Sequence, residues 1–493
     1  PMKLKPLAAT AAMLCLASAA NAQQPALRIY SGLRDTLRTA ATTVVAVTEP
    51  GATATINGTP AHVYKTGSFG AAVDLQPGQN TVTVTATKNG QTATVTRQVF
   101  RAEPVKAKAQ KPQLVDPEAT TLFSADRYVV TTPGAYLQYG NGDDRLGGSK
   151  MGFLDPGITL RVIGQKGGLY CVRLAADRIA YIPKSYTEPA TTVTSTVNTG
   201  SWSLTNTGRN DRVSVALPHR LAYHYMTQLE PNVIMVDLFG ATDNSNWITQ
   251  RTLDLGVIDH VDFRQLSDDV YRVLIYLKGA YQWGFKVGYD EGSNTLNIDV
   301  RHAPKSLKLR DLTIGLDAGH GGPYPGAISP SGIKEKDVNL DIVNRLKAIL
   351  EKKGARIVMT RDGDTGPSMG ERKRIWAAGN VDLAISIHNN SGGSPLASPG
   401  TATFYKHTFC RPLNECVLSR ILETGLPMFG LVGNFNFSLN GPTLYPNCLV
   451  EGMFMSSLQE EEKLADPKFR QLFAEKIAQG IEDYLSKAAA SRR

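Results

Sequence analysis

The sequence predicts a multidomain protein with a C-terminal α/β domain, its mostly parallel sheet flanked by helices, preceded by three small β-rich domains. Two observations carry that expectation. Over residues 25–300, short apolar runs alternate with Asn-Gly, Pro-Gly and Asp-rich turns, the pattern of antiparallel sheets. From residue 307 the periodicity changes, and short apolar runs alternate with helical stretches, as in a parallel sheet covered on both faces. A length of 493 residues leaves room for several such cores.

The first residues read as an export signal. Lys3 and Lys5 precede an apolar run over residues 7–20 and then Ala20-Asn21-Ala22, so a signal peptide is expected over 1–22, with export to the periplasm or cell wall. That run is short for a membrane span, and no later segment reads as transmembrane. The formal net charge of +9 is spread along the chain without basic-aromatic stripes, which argues against nucleic acid and allows attraction to an anionic polymer. Cys410 and Cys416 could pair across a short loop in an oxidising compartment, but sequence alone does not fix the pairing.

Residues 23–103 read as a sandwich that resembles immunoglobulin-like modules, and 104–118, rich in Pro and Lys, as a linker. The short strands of 119–190 resemble a Src-homology-3-like barrel. In 191–305, the runs around Asn232 to Gly240 and Tyr271 to Leu277 resemble the two halves of an AMIN domain, a wall-targeting module.

The last domain is expected over 306–490. Strand-like runs fall at 312–316, 356–360, 383–387, 401–405 and 448–450. Helical patterns fall at 338–353, 368–378, 413–424 and 467–486, the first ending at Gly354 and the last opening with Pro467. In an open α/β sheet, ligands bind beyond the carboxyl ends of the strands. His320 follows the first run through a glycine turn, His388 ends Ala-Ile-Ser-Ile-His, and Glu451 ends Cys-Leu-Val-Glu. A right-handed crossover returns Glu335 toward the same edge. Two imidazoles and a carboxylate form the ligand set of an open zinc site, and a further carboxylate can manage protons.

Asp317-Ala-Gly-His-Gly-Gly322, Glu335-Lys-Asp337, Thr360-Arg361, Ser386-Ile-His-Asn-Asn390 and Leu449-Val-Glu-Gly-Met-Phe-Met-Ser456 resemble, in order and spacing, the zinc-dependent N-acetylmuramoyl-L-alanine amidases. The resemblance covers about residues 310–487. It implies one Zn²⁺ held by His320, Glu335 and His388, with Glu451 as general base and acid. It also implies peptidoglycan as substrate, cut between N-acetylmuramic acid and L-alanine. Asn389, Asn390 and Arg361, with Arg372, are candidate substrate contacts, the alternatives being loop polarity for the asparagines and pairing with Asp364 or nearby carboxylates for the arginines. Gly452-Met453-Phe454 and Ser456-Ser457 depart from the usual family pattern, which affects one wall of the cleft. No long extra helix lies between His388 and Glu451 to plug the site. An activating protein partner is left open, as are a zinc peptidase of other specificity and an inactive wall-binding regulator.

Overall fold

The computed structural model describes residues 24–104, 120–140, 150–191, 193, 195–244 and 248–491. The expected signal peptide and nearly all of the expected linker lie outside them. The chain divides into two compact units, residues 1–104 and 105–493.

The first unit packs a three-stranded sheet against a five-stranded one. Alternating residues such as Val44, Ala46, Phe69, Val82 and Val84 turn inward to make the core.

In the second unit, residues 121–189 form a seven-stranded sheet, and residues 202–301 form two four-stranded sheets. One hydrophobic core runs through both blocks, from Leu137, Ile158 and Val172 to Val236, Val273 and Ile298. It also takes in Phe409 and Cys410, so it crosses the boundaries drawn from sequence at 190 and 305. Polar contacts reinforce the same seams. Asp155 accepts from the Tyr223 hydroxyl at 2.9 Å and the Tyr289 N–H at 3.0 Å. Arg301 donates to the Val381 carbonyl at 2.7 Å and to Asp382 at 2.7 Å.

At the edge of that core, His407 is buried and its Nε2 lies 2.9 Å from the Gly441 carbonyl. Burial, together with the nearby Lys406 charge, lowers its pKa to about 3. Because the folded chain refuses a proton that the unfolded chain takes up near pH 6.5, stability is present above that value and lost as pH falls toward the folded value. By pH 5 the loss from this residue should reach about 2 kcal/mol. His407→Gln is expected to flatten the fall in unfolding free energy between pH 7 and pH 5, measured by denaturant titration.

The C-terminal domain has the strands β1 (Thr313–Ala318), β2 (Arg356–Met359), β3 (Leu383–Asn390), β4 (Thr401–Phe404), β5 (Met428–Val432) and β6 (Asn447–Phe454). Its helices are α1 (Glu335–Lys352), α2 (Met369–Ala378), α3 (Arg411–Leu422), α4 (Leu458–Ala465) and α5 (Pro467–Ala490). The sheet order is β2-β1-β3-β6-β4-β5, parallel except where β4 meets β6. Ile314, Leu316, Ile385, Ile387 and Val450 share a core with residues of α1, α3 and α5. On the other face, Trp376 of α2 packs with Ala384 and Tyr445.

Several boundaries differ from the sequence reading. Helix α1 starts at Glu335, three residues before its apolar face, because Glu335 and Asp337 suit the positive end of the helix dipole. Strands β3 and β6 run past His388 and Glu451 instead of ending on them, since both polar groups are held inside the ladder. The sequence reading missed β5, a short strand that follows Pro427 and contains Gly430, and α4, whose polar sequence hides its buried face. Cys410 and Cys416 are buried free thiols and make no disulfide.

Candidate metal centre

His320 sits one residue beyond Gly319 at the end of β1, in the left-handed region at φ 62°. Two arginines hold this turn by its carbonyls. Arg361 donates to Ala318 at 2.7 Å and Gly319 at 3.1 Å, and Arg372 to Ala318 at 2.9 Å and His320 at 2.7 Å. Arg372 also pairs with the fully buried Asp317 at 2.6 Å. Charge attraction from Arg372 and His388, with hydroxyl donors from Thr360 and Ser386, keeps Asp317 ionised against the cost of its burial.

Two glycines make room for the polar side chains. A Cβ at Gly319 would lie 2.3 Å from the His388 ring, and one at Gly326 would lie 2.4 Å from the Glu335 carboxylate. Both residues therefore leave space that the three polar side chains fill.

The side chains of His320, Glu335 and His388 converge, with one potential ligand atom from each lying within 4.8 Å of the others. His320 Nε2 is 3.1 Å from Glu335 Oε2, and His388 Nδ1 is 3.2 Å from Glu335 Oε1. Backbone N–H groups of Ala327 and Asn389 donate to the same carboxylate at 2.9 and 3.1 Å, and Asn339 adds a side-chain bond at 3.3 Å. Burial opposes ionisation of Glu335, yet hydrogen bonds from both histidines hold its pKa far below the usual carboxylate range. Burial likewise opposes a charged His388, but Glu335 and Glu451 raise its pKa on balance.

Glu451 stands directly across from His388 in the β3–β6 ladder. It is 9% exposed, and its Oε2 has no hydrogen-bond partner among the described residues. Burial lifts its pKa to about 7, with the Glu335 charge adding and His388 opposing. Three clustered N and O donors, supported by further hydrogen bonds and flanked by an unpartnered buried carboxylate oxygen, fit one divalent cation.

The candidate substrate contacts are each engaged with neighbouring groups of the chain. Asn389 is buried, donating to Asn339 at 2.8 Å and accepting from the Met453 N–H at 3.0 Å, so it ties α1 to β6. The Asn390 side chain accepts from the Ser391 N–H at 2.8 Å. Arg361 is 4% exposed and its guanidinium donates to the carbonyls of Ala318, Gly319, Lys336 and Gly363. Asn339 is a supporting residue that sequence reasoning did not place here, whereas Arg372, a candidate there beside Arg361, pairs with the buried carboxylate of Asp317. The i,i+4 spacing of Asn339 from Glu335 on α1 was the available signal for it.

The fold and the site define a class: an α/β domain whose sheet carries, beside a buried carboxylate, a three-donor cluster that could hold a metal ion. A protein-family model described as N-acetylmuramoyl-L-alanine amidase matches residues 314–483, and the AMIN domain model matches residues 202–300. The chain is 33% identical over 209 residues to the probable cell wall amidase LytH of Staphylococcus saprophyticus, covering 40% of this chain and 67% of that one. It is 29% identical over 258 residues to the N-acetylmuramoyl-L-alanine amidase AmiC of Neisseria meningitidis serogroup B, covering 41% of this chain and 62% of that protein. Among solved structures, N-acetylmuramoyl-L-alanine amidase AmiC2 of Nostoc punctiforme is 33% identical, covering 36% of this chain and 97% of that chain, with a TM-score of 0.34. The chain belongs to the N-acetylmuramoyl-L-alanine amidase family, with that enzyme class, and carries an AMIN domain upstream of its catalytic domain.

Proposed function

We propose that this chain is an exported, zinc-dependent peptidoglycan hydrolase that cleaves the amide bond between N-acetylmuramic acid and the L-alanine of the stem peptide. His320, Glu335 and His388 hold one zinc ion, and Glu451 is the general base and acid. The observation that carries the reading is the buried, unpartnered oxygen of Glu451 beside the three-donor cluster. When bound, zinc supplies Lewis-acid polarisation of water and of the amide carbonyl.

Glu451 takes the proton from the attacking water and returns it to the departing amine of L-alanine. A carboxyl with a pKa near neutrality can do both, because neither proton transfer is steeply uphill at working pH. Asn389 and Asn339 fix the Glu335 carboxylate from behind, and Arg361 and Arg372 fix the turn that presents His320. The upstream AMIN domain would bring this centre to the wall. Among the described residues no helix is long and apolar enough to cross a membrane.

The test is digestion of purified peptidoglycan with and without chelator, followed by readdition of zinc. Stem peptides with free N-terminal L-alanine should accumulate, disappear to the no-enzyme background with chelator, and return with zinc. Products cut within the stem peptide instead would identify a peptidase of other specificity. Activity that survives complete metal removal would sink the metal reading.

A further inference from the structure

Two adjacent glutamates outside the metal cluster are completely buried. Glu460 and Glu461 lie in the first turn of α4, each 0% exposed. Burying a carboxylate is costly unless donors surround it. Glu460 Oε1 accepts from the Ser398 hydroxyl at 2.6 Å and the Gly400 N–H at 2.7 Å, and its Oε2 accepts from the Phe454 N–H at 2.6 Å. Glu461 Oε1 accepts from the Ser331 N–H at 2.7 Å.

These donors belong to different walls of the site. Ser398 and Gly400 lie in the segment that leaves β3 after His388, and Phe454 closes β6 three residues beyond Glu451. Ser331 lies in the segment that runs from His320 to Glu335. Successive residues on a helix project about 100° apart, which lets one turn of α4 reach both walls. The serines around the family departure reinforce the first wall: the Ser456 hydroxyl donates to the Gly392 carbonyl at 2.7 Å, and that of Ser457 to Ala397 at 2.6 Å.

We propose that Glu460 and Glu461 are positioning residues with divided duties. Glu461 sets the segment that delivers His320 and Glu335, and so governs metal affinity. Glu460 sets the end of β6 and the wall after His388, and so governs the alignment of Glu451 and the rate of turnover. This rests on the reading of His320, Glu335, His388 and Glu451 given above.

The full chain, Glu460→Gln and Glu461→Ala are compared for zinc affinity by competition with a chromophoric chelator, and for kcat and KM on muropeptides at saturating zinc. Thermal unfolding is followed in parallel. Glu461→Ala should weaken zinc binding by about 10–100-fold while kcat at saturation changes by less than about 3-fold. Glu460→Gln turns an amide N–H₂ toward the N–H of Gly400 or Phe454. It should lower kcat by about 10–100-fold with zinc affinity kept within about 3-fold. Unchanged zinc affinity in Glu461→Ala, unchanged kcat in Glu460→Gln, or equal losses of both quantities in both variants overturns the division. If Glu460→Gln does not fold, Ser398→Ala removes one donor from the same carboxylate, and the same kcat criterion decides. A parent chain that binds no zinc overturns the metal reading and this division with it, and that failure is visible before any variant is compared.

Discussion

Glu451→Gln is expected to lower kcat for release of stem peptides by about 10²–10⁴-fold while leaving one zinc bound per chain. The amide keeps the shape of the side chain and removes its ability to accept and return a proton. Zinc stoichiometry should be unaffected, because the three-donor cluster is made by His320, Glu335 and His388 without it. KM should move little, since the loss falls on a proton transfer that develops only in the transition state. A variant that digests muropeptides at the parent rate would remove Glu451 from the mechanism. One that loses zinc would show instead that this carboxylate is a fourth ligand.

The second large effect is on stability. Arg372 is 2% exposed and its guanidinium reaches Asp317 Oδ1 together with the carbonyls of Ala318, His320 and Pro367. Arg372→Met should cost about 3–5 kcal/mol, because it strands the Asp317 carboxylate in the core with only hydroxyl partners left. It should also weaken metal binding, since the His320 carbonyl loses its anchor. The double variant Asp317→Asn, Arg372→Met should be less destabilised than the single one, as no uncompensated charge is then buried. Denaturant unfolding of the three variants checks this. A single variant as stable as the parent would mean that Asp317 takes up a proton at little cost.

How far the sequence carried the site depends on what each residue needed. His320, His388 and Glu451 stood out because each is a polar group set against a short apolar run, and Glu335 only because a right-handed crossover returns it to the same edge. The roles of Asn389, Asn390 and Arg361 were not legible, for one shared reason. Polarity near a site does not say whether a side chain faces substrate or supports its neighbours. Asn389 and Arg361 prove to be buried supports, satisfied by backbone groups and Asn339. Glu460 and Glu461 stayed hidden because a Gln-Glu-Glu-Glu run reads as a solvated helix start, and only packing shows which of its acids are enclosed.

The sequence by itself determined the change from β blocks to an α/β domain, the strands that carry the two histidines, and the glycine turn after residues 313–318. Those follow from local periodicity and from the space a side chain would occupy, which a linear pattern records. The tertiary structure decided that β3 and β6 run past their polar residues and place His388 opposite Glu451. It also decided that α1 begins on Glu335 and that the two β blocks between residues 121 and 301 share one core reaching Phe409. These depend on hydrogen-bond partners and buried surfaces supplied by segments up to more than a hundred residues away. The turn that looked in sequence like a glycine loop with one histidine is therefore a built ligand platform, held by Arg361, Arg372 and Asp317 from behind.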